Sequence, residues 1–431
     1  MELMQPKGTR DFLPEQQIQK QELVEKIKKI FELNGYSPIE TPVFERFDVL
    51  SSKYAGGEEI LKETFSFEDQ GKRKLGLKYD LTVPLARVIA MNPNTRMPFK
   101  RYQIERVFRD GPVTTSRYRE FYQCDADVIG SNSMMADTEI IKIAKKVFEK
   151  LELDVEIRLN NRKLLNGLME SLGIKQEKIL PVLLAIDKLD KMPKKEIEKE
   201  LKEKGIEDKK IKEIFELIEI KGSNEKILEK LEKKIQTQEG KKGIIELKEI
   251  LEYAKEYKIN NLYITLSLVR GLAYYTGPIF EVLLKKGKVK SSVGGGGRYD
   301  KMIGLIAGKE KEFPAVGISF GLERILDELN EKGIQKKKTV TQIFLIPINN
   351  EKNAINLVEE IRFLGINTEI DLMQRSISKN LDFASKQAIP FVIVLGEREF
   401  KAKEFSLKNM DSGKEIKVKF SELGKLKTLL K

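Results

Sequence analysis

The chain has 431 residues, one cysteine, no histidine and a formal net charge of +12. Without histidine there is no Ser-His-Asp or Cys-His nucleophile system and no Cys/His zinc centre, and the lone Cys124 excludes an intramolecular disulfide, which suits a reducing cytosol. The length predicts two or three domains, and no run approaches the ~18 apolar residues of a membrane helix. The opening MELMQPKGTRDFLPEQ has no apolar signal core and is read as carrying no export or transit segment. The basic balance suits either a polyanionic partner such as nucleic acid or a lysine-rich solvated surface.

Residues 15–33 repeat Ile18, Leu23, Val24, Ile27, Ile30 and Phe31 at helical spacing, and LNGYSPIETP then breaks the helix. From there to about 157, strand-like runs alternate with loops. KYDLTVPLARVIA (78–90) predicts a helix beginning near Pro84, with Asp80 or Thr82 as its cap. RYQIERVFRDGPVTTSRYREFYQCDADVI (101–129) predicts a hairpin around DGPVTTS. Side chains alternate across a strand. Gln123, Asp125 and Asp127 therefore share one face, as do Arg101, Gln103, Glu105 and Arg109, while Tyr102, Ile104, Phe108, Cys124, Ala126 and Val128 take the opposite one. Two readings fit the polar face: an ordinary wet sheet, or a cleft in which arginine forks meet carboxylate or phosphate.

Residues 158–258 change texture to Lys/Glu-rich stretches with Leu and Ile stripes, predicting an inserted helical module. Strands return over 261–284. There the mostly apolar LYITLSLV (262–269) ends abruptly in RGLAYYTG (270–277). Taken alone, this is a strand end where Arg270 solvates and Tyr274 and Tyr275 lie half-buried on the rim. SVGGGGRYD (292–300) is either a flexible linker or a strand whose glycines permit close backbone approach to a ligand. AVGISFGLERIL (315–326) reads as a strand turning into a helix, with Arg324 in its first turns and Glu323 or Glu328 as possible ion-pair partners. KKK (336–338) marks a hinge, beyond which strands and helices alternate in a small, largely parallel α/β domain. No GxxxxGK[ST] occurs, so nucleotide binding does not use a P-loop.

Together these stretches resemble the histidyl-tRNA synthetases, which are class II aminoacyl-tRNA synthetases. GYSPIETPVFE resembles class II motif 1, whose proline, here Pro42, sits at a dimer interface. FRDGPVTTSRYREF resembles motif 2, and GLERI resembles motif 3 with Arg324 as its arginine. RGLAYYTG, GGGGRYD and the opening PKGTRDFLP are the histidine-specific signals. The resemblance covers essentially the whole chain and is weakest through the helical stretch. It implies an α+β fold: a class II catalytic domain with an antiparallel sheet flanked by helices over 1–157 and 259–330, and a helical insertion domain over 158–258. A linker at 331–338 and an α/β anticodon-binding domain over 339–431 would follow.

The resemblance further implies a cytoplasmic, non-membrane homodimer that activates L-histidine with ATP and Mg2+ and passes it to tRNA(His), with no dedicated metal site on the protein. Asp80, Leu81 and Thr82 match the family's contact to the histidine α-amino group, with Asp80 and Thr82 as acceptors. Gln123 matches a second residue at the amino-acid head, and Tyr274 belongs to the same histidine site. Asp127 and Tyr275 would face the imidazole, whose donor and acceptor nitrogens a carboxylate and a phenol satisfy. Arg109 would hold the α-phosphate and the histidine carboxylate, with Arg270 aimed at the α-phosphate from the opposite side. Arg324 would hold the γ-phosphate, Glu120 would lie near the adenine, and Arg117 or Arg119 near the tail of ATP. The family usually carries an acid where this chain has Ala273. The main alternative is a synthetase-like regulatory subunit of ATP phosphoribosyltransferase, but such proteins generally lack the C-terminal domain and degrade the ATP-binding motifs. A class II synthetase for proline, threonine or glycine is opposed by the RGLAYYTG and GGGGRYD pair.

Overall fold

The structure is a computed structural model and describes residues 3–51, 61–114, 117–190, 192–270, 274–333 and 337–430. The chain divides into two compact units, Met1–Arg10 with Leu23–Gly333, and Asp11–Glu22 with Ile334–Lys431.

In the first unit the strands are β1 (Ser37–Pro38), β2 (Phe44–Arg46), β3 (Ser66–Glu68), β4 (Lys74–Leu77), β5 (Phe99–Phe108) and β6 (Glu120–Ile129). They continue with β7 (Val155–Asn161), β8 (Leu262–Ile264), β9 (Pro278–Leu284), β10 (Gly294–Arg298) and β11 (Ala315–Gly321). Eight of these form one sheet in the order β1-β5-β6-β11-β10-β9-β7-β8. Every neighbouring pair from β5 to β7 is antiparallel, and β1 and β8 add parallel edges. The hairpin of β5 and β6 pairs Arg101 with Asp127, Gln103 with Asp125 and Glu105 with Gln123, so the polar residues line up across the strands on one face.

The opposite face is the core. Tyr102, Cys124, Ala126 and Val128 are buried there. Helix α1 (Pro14–Leu33) lays Phe31 against Tyr102 and Phe320, with ring centroids 5.6 and 6.2 Å apart. After helix α2 (Thr82–Met91), helix α3 (Met134–Lys150) brings Phe148 edge-on to Phe320 at 5.8 Å. Burying one such ring contributes roughly 1.5–3 kcal/mol. With apolar side chains drawn to one side by alternation alone, the other side is left to charge.

Between β7 and β8 run α4 (Arg162–Ser171), α5 (Gln176–Ile186), α6 (Lys194–Glu203), α7 (Asp208–Ile218), α8 (Asn224–Glu232) and α9 (Gln238–Glu256). β7 continues to Asn161, past the expected start of the helical stretch at 158. α9 lies against β7 and α3, and the whole stretch groups with the sheet in one unit.

The second unit holds β12 (Ile343–Pro347), β13 (Thr368–Ile370), β14 (Phe391–Leu395), β15 (Glu404–Asn409) and β16 (Glu415–Lys419). β12 is parallel to β13 and β14, whereas β15 and β16 are antiparallel additions. The expectation of a largely parallel sheet thus missed a closing hairpin turned at Asp411–Gly413, where Gly413 has φ +69° and Asn409 accepts from the backbone N–H of Asp411 and Ser412. β12 is buried on both faces. Ile343 and Leu345 pack with Ala354, Leu357, Val358 and Ile361 of α10 (Glu351–Phe363), while Phe344 and Ile346 pack with Ala384 of α11 (Ile377–Lys386).

Candidate active site

The polar face of the large sheet floors a cavity of about 370 Å³ whose walls include Arg109, Arg270 and Arg324. Three separate segments deliver them. Arg109 follows β5 directly, and its Nε donates to the Tyr79 carbonyl at 3.1 Å. Arg270 has φ +56° and its Nη1 donates to the Phe280 carbonyl at 3.2 Å. Arg324 lies in the first turn of helix α12 (Leu322–Glu331) and donates to the Ser292 carbonyl at 2.7 Å. Of the two suggested surface partners of Arg324, Glu323 accepts from the Tyr122 N–H and Glu328 from the backbone N–H groups of Lys288 and Val289. Burial, and then the neighbouring Arg109, push Arg324 below the usual arginine value. Stacked positive charge of this kind relaxes when an anion enters. Each guanidinium already spends a donor on a backbone carbonyl, which leaves the rest of its fork for a ligand.

The four glycines are a strand, β10, and not a linker. A side chain at Gly295 would project from the floor, where its Cβ would stand 1.7 Å from Arg270 Nη1. Glycine there lets the guanidinium lie flat on the sheet.

Through Arg109, Arg117, Gln123, Arg270, Gly295 and Ser319 the first cavity runs into a second of about 460 Å³. The second is lined by Asp80, Thr82, Asp125, Asp127, Tyr274 and Tyr275. Asp80 meets both descriptions of it, since its Oδ1 caps α2 by accepting from the Val83 N–H at 3.0 Å while the residue borders the cavity. Burial raises the Asp80 carboxyl to about 6, against the pull of Val83 and Arg109. Gln123 Nε2 donates to Ser319 Oγ at 2.8 Å. Tyr274 and Tyr275 are buried with ring centroids 4.7 Å apart.

Several expected residues are differently disposed. Leu81 is fully buried in the core and only its carbonyl is used, accepting from Arg101 at 3.2 Å. Glu120 shares its strand parity with Cys124, points off the cavity face and pairs with Arg106 at 2.9 Å. Arg119 pairs with Asp110 at 3.1 Å and likewise does not line the cavity. Arg117 does line it, beside an ion pair to Glu63 at 2.5 Å. Tyr118 and Phe121 supply the aromatic wall there instead. Ala273 lies outside the described residues.

Asp127 accepts a hydrogen bond on one oxygen and is only ion-paired at the other. Tyr299 donates to Oδ1 at 2.5 Å, and the buried Arg101 stands 2.7 Å from Oδ2. Asp125, two residues earlier on the same face, is 2 % exposed, and its Oδ1, like Asp127 Oδ2, has no hydrogen-bond partner among the described residues. Burial raises both carboxyls, and Arg101 offsets part of that. Asp125, Ser319, Tyr299 and Glu281 complete the two cavities and were not assigned from sequence. Strand alternation did place Asp125 on the right face. Asp187, from the helical stretch, also lines the second cavity, and no local signal pointed to it.

An antiparallel floor that collects arginines from three distant segments beside a carboxylate-rich pocket defines the catalytic core of a class II aminoacyl-tRNA synthetase. The comparisons agree. A family model described as Histidyl-tRNA synthetase matches residues 8–325, and one described as Anticodon binding domain matches 342–427. Histidine--tRNA ligase 1 of Bacillus cereus (strain ZK / E33L) is 40 % identical over 425 residues, covering 98 % of this chain and 99 % of that relative. The crystal structure of histidyl-tRNA synthetase from Nostoc sp. PCC 7120 superimposes with a TM-score of 0.86 at 30 % identity, covering 100 % of both chains. A Bacillus halodurans structure named as an ATP phosphoribosyltransferase regulatory subunit/histidyl-tRNA synthetase has a TM-score of 0.76 at 21 % identity, covering 91 % of this chain and 98 % of that one, which is a likeness of fold alone. The chain belongs to the histidyl-tRNA synthetase family.

Proposed function

We propose that the protein is a histidine–tRNA ligase whose two joined cavities hold ATP and L-histidine. The observation that carries this reading is the meeting of Arg109, Arg270 and Arg324 on one hollow that opens into the pocket of Asp80, Gln123 and the tyrosines. In the first step a histidine carboxylate oxygen attacks the α-phosphorus of ATP, the bond to the bridging oxygen breaks, and pyrophosphate leaves. In the second step the terminal ribose hydroxyl of tRNA(His) attacks the carbonyl carbon of the adenylate, an ester forms, AMP departs and the hydroxyl proton is released.

No general base is needed for activation, because the attacking carboxylate is already ionised. The residues act by alignment and by meeting charge that builds on the phosphate oxygens. Arg109 and Arg270 flank the α-phosphate, Arg324 takes the γ-phosphate and Arg117 lies near the tail of ATP. Asp80 and Thr82 accept from the α-ammonium, while Gln123 and Tyr274 enclose the head. Tyr275 and the Asp125/Asp127 pair face the imidazole. Among the described residues no cluster of three or more metal-ligating side chains occurs. Magnesium would arrive on the phosphates of ATP, and Glu281, a carboxylate in the first cavity, fits a hard cation. It would neutralise phosphate charge.

Motif 1 is read as the face of a homodimer, since Pro42 is exposed next to exposed Val43 and Phe44. The C-terminal unit is read as the anticodon-binding domain, and the helices α4–α9 as an insertion within the catalytic one. No described helix is long and apolar enough to cross a membrane. ATP–pyrophosphate exchange with each of the twenty amino acids tests the assignment. Stimulation by histidine alone is expected; exchange driven by another amino acid, or by none, overturns it.

A further inference from the structure

Arg270 carries the left-handed backbone that ordinary side chains rarely adopt, φ +56°. Its guanidinium donates to one floor carbonyl and lies 5.8 Å from the Tyr275 ring centroid, and the main chain sets where the side chain starts. Arg162 holds it. This residue opens α4 immediately after β7, which anchors its Cα to the sheet. Its Nη2 donates to the carbonyl of Val269 at 3.3 Å and to that of Arg270 at 3.2 Å. Its backbone N–H donates to the carbonyl of Gly277 at 2.8 Å. One residue therefore grips both ends of RGLAYYTG. Asn160, on the last turn of pleat before it, extends the same seam through Nδ2 to the carbonyls of Leu266 at 3.2 Å and Leu268 at 2.9 Å.

Arg162 is 6 % exposed and does not line the cavity of the three arginines. Burying a guanidinium is costly, and an apolar side chain would fill the space without that cost. What the side chain adds is one charged nitrogen, Nη2, that donates to two consecutive carbonyls at the end of a long reach.

We propose that Arg162 is a positioning residue for the activation step: its Nη2 sets the backbone at Val269 and Arg270 so that the Arg270 guanidinium lies over the floor and faces the α-phosphate. The proposal rests on the ligase reading above. Its consequence is that the helical stretch, through its first residue, determines the aim of a residue that meets substrate.

The test is a double-mutant cycle in histidine-dependent pyrophosphate exchange, with wild type, R162M, R270A and R162M/R270A. If wild type fails to exchange with histidine, the ligase reading and this inference fall together; with wild-type exchange intact, the variants alone decide. R162M is expected to lower kcat at least tenfold while KM for ATP stays within threefold, because Arg109 and Arg324 still hold the nucleotide. The double variant is expected to match R270A within threefold, since Arg162 acts only through Arg270. A kcat of R162M within threefold of wild type, or a double variant slower than R270A by the full R162M factor, overturns the proposal. If R162M melts below the assay temperature, Arg162→Lys, which keeps the charge and donors for one carbonyl, carries the same cycle with an intermediate loss.

Discussion

Among single residues, charge that is useful for catalysis is expensive for folding, and Asp80 shows the trade most directly. Its carboxyl is raised by burial from 3.8 to about 6. Between those values the folded protein holds a proton that the unfolded chain has lost, so stability declines as pH rises through about 6. The full penalty is about 3 kcal/mol above that pH and vanishes below about 4. Asp80→Asn keeps an acceptor for the Val83 N–H. It should therefore melt higher than wild type at pH 8 and alike at pH 4, while KM for histidine rises at least tenfold; scanning calorimetry across pH reads the first part. Arg270→Ala removes a donor to developing phosphate charge and should cost ~3 kcal/mol of transition-state stabilisation, about 10²-fold in exchange, with little change in melting temperature. The two aspartates of β6 should separate cleanly. Asp125→Asn is expected to raise KM for histidine more than tenfold and leave KM for ATP within threefold. Asp127→Asn strands the buried Arg101 and should destabilise by about 3 kcal/mol or more, which urea titration would measure.

At the level of elements, β10 shows how neighbouring glycines differ. A Cβ at Gly295 meets the tip of Arg270 at 1.7 Å, a flexible end that swings away, whereas a Cβ at Gly296 meets the backbone oxygen of Gly317 at 1.9 Å. Gly295→Ala should thus reduce exchange at least tenfold with a smaller thermal loss than Gly296→Ala, because its Cβ displaces the Arg270 tip and reaches the Phe280 carbonyl oxygen only at 3.0 Å. Gly296→Ala should lower the melting temperature, because strand β11 itself has to move. Equal thermal losses in the two variants would contradict this division of the strand into a catalytic and a packing face. The hairpin of β5 and β6 follows the same logic. Its alternation was legible, since period two separates Cys124 and Ala126 from Asp125 and Asp127 without any knowledge of partners. Glu120 has the parity of Cys124 but lies at the strand's end, where it pairs with the exposed Arg106.

For the whole molecule, the net charge of +12 matters through the tRNA. Backbone phosphates release counterions on binding, so aminoacylation efficiency for tRNA should fall about tenfold or more between about 50 and 200 mM salt. Histidine-dependent exchange, which involves no tRNA, should change by less than about threefold over the same range. Parallel salt curves would argue against an electrostatic tRNA interface.

The residue order by itself determined which chemistries are excluded, which face of the long β5–β6 hairpin is polar, that a helical stretch interrupts the sheet, and that the C-terminal segment mixes strands and helices. These follow from composition and from periods of two and 3.6, which are local properties of a chain. It did not determine which oxygens of the Asp125/Asp127 pair lack a hydrogen-bond partner, that Asp187 reaches the second cavity, or that Arg162 grips the backbone of Arg270. Those depend on register between strands far apart in sequence and on which side chain wins a shared partner such as Arg101, and both are decided only when the sheet closes and excludes water.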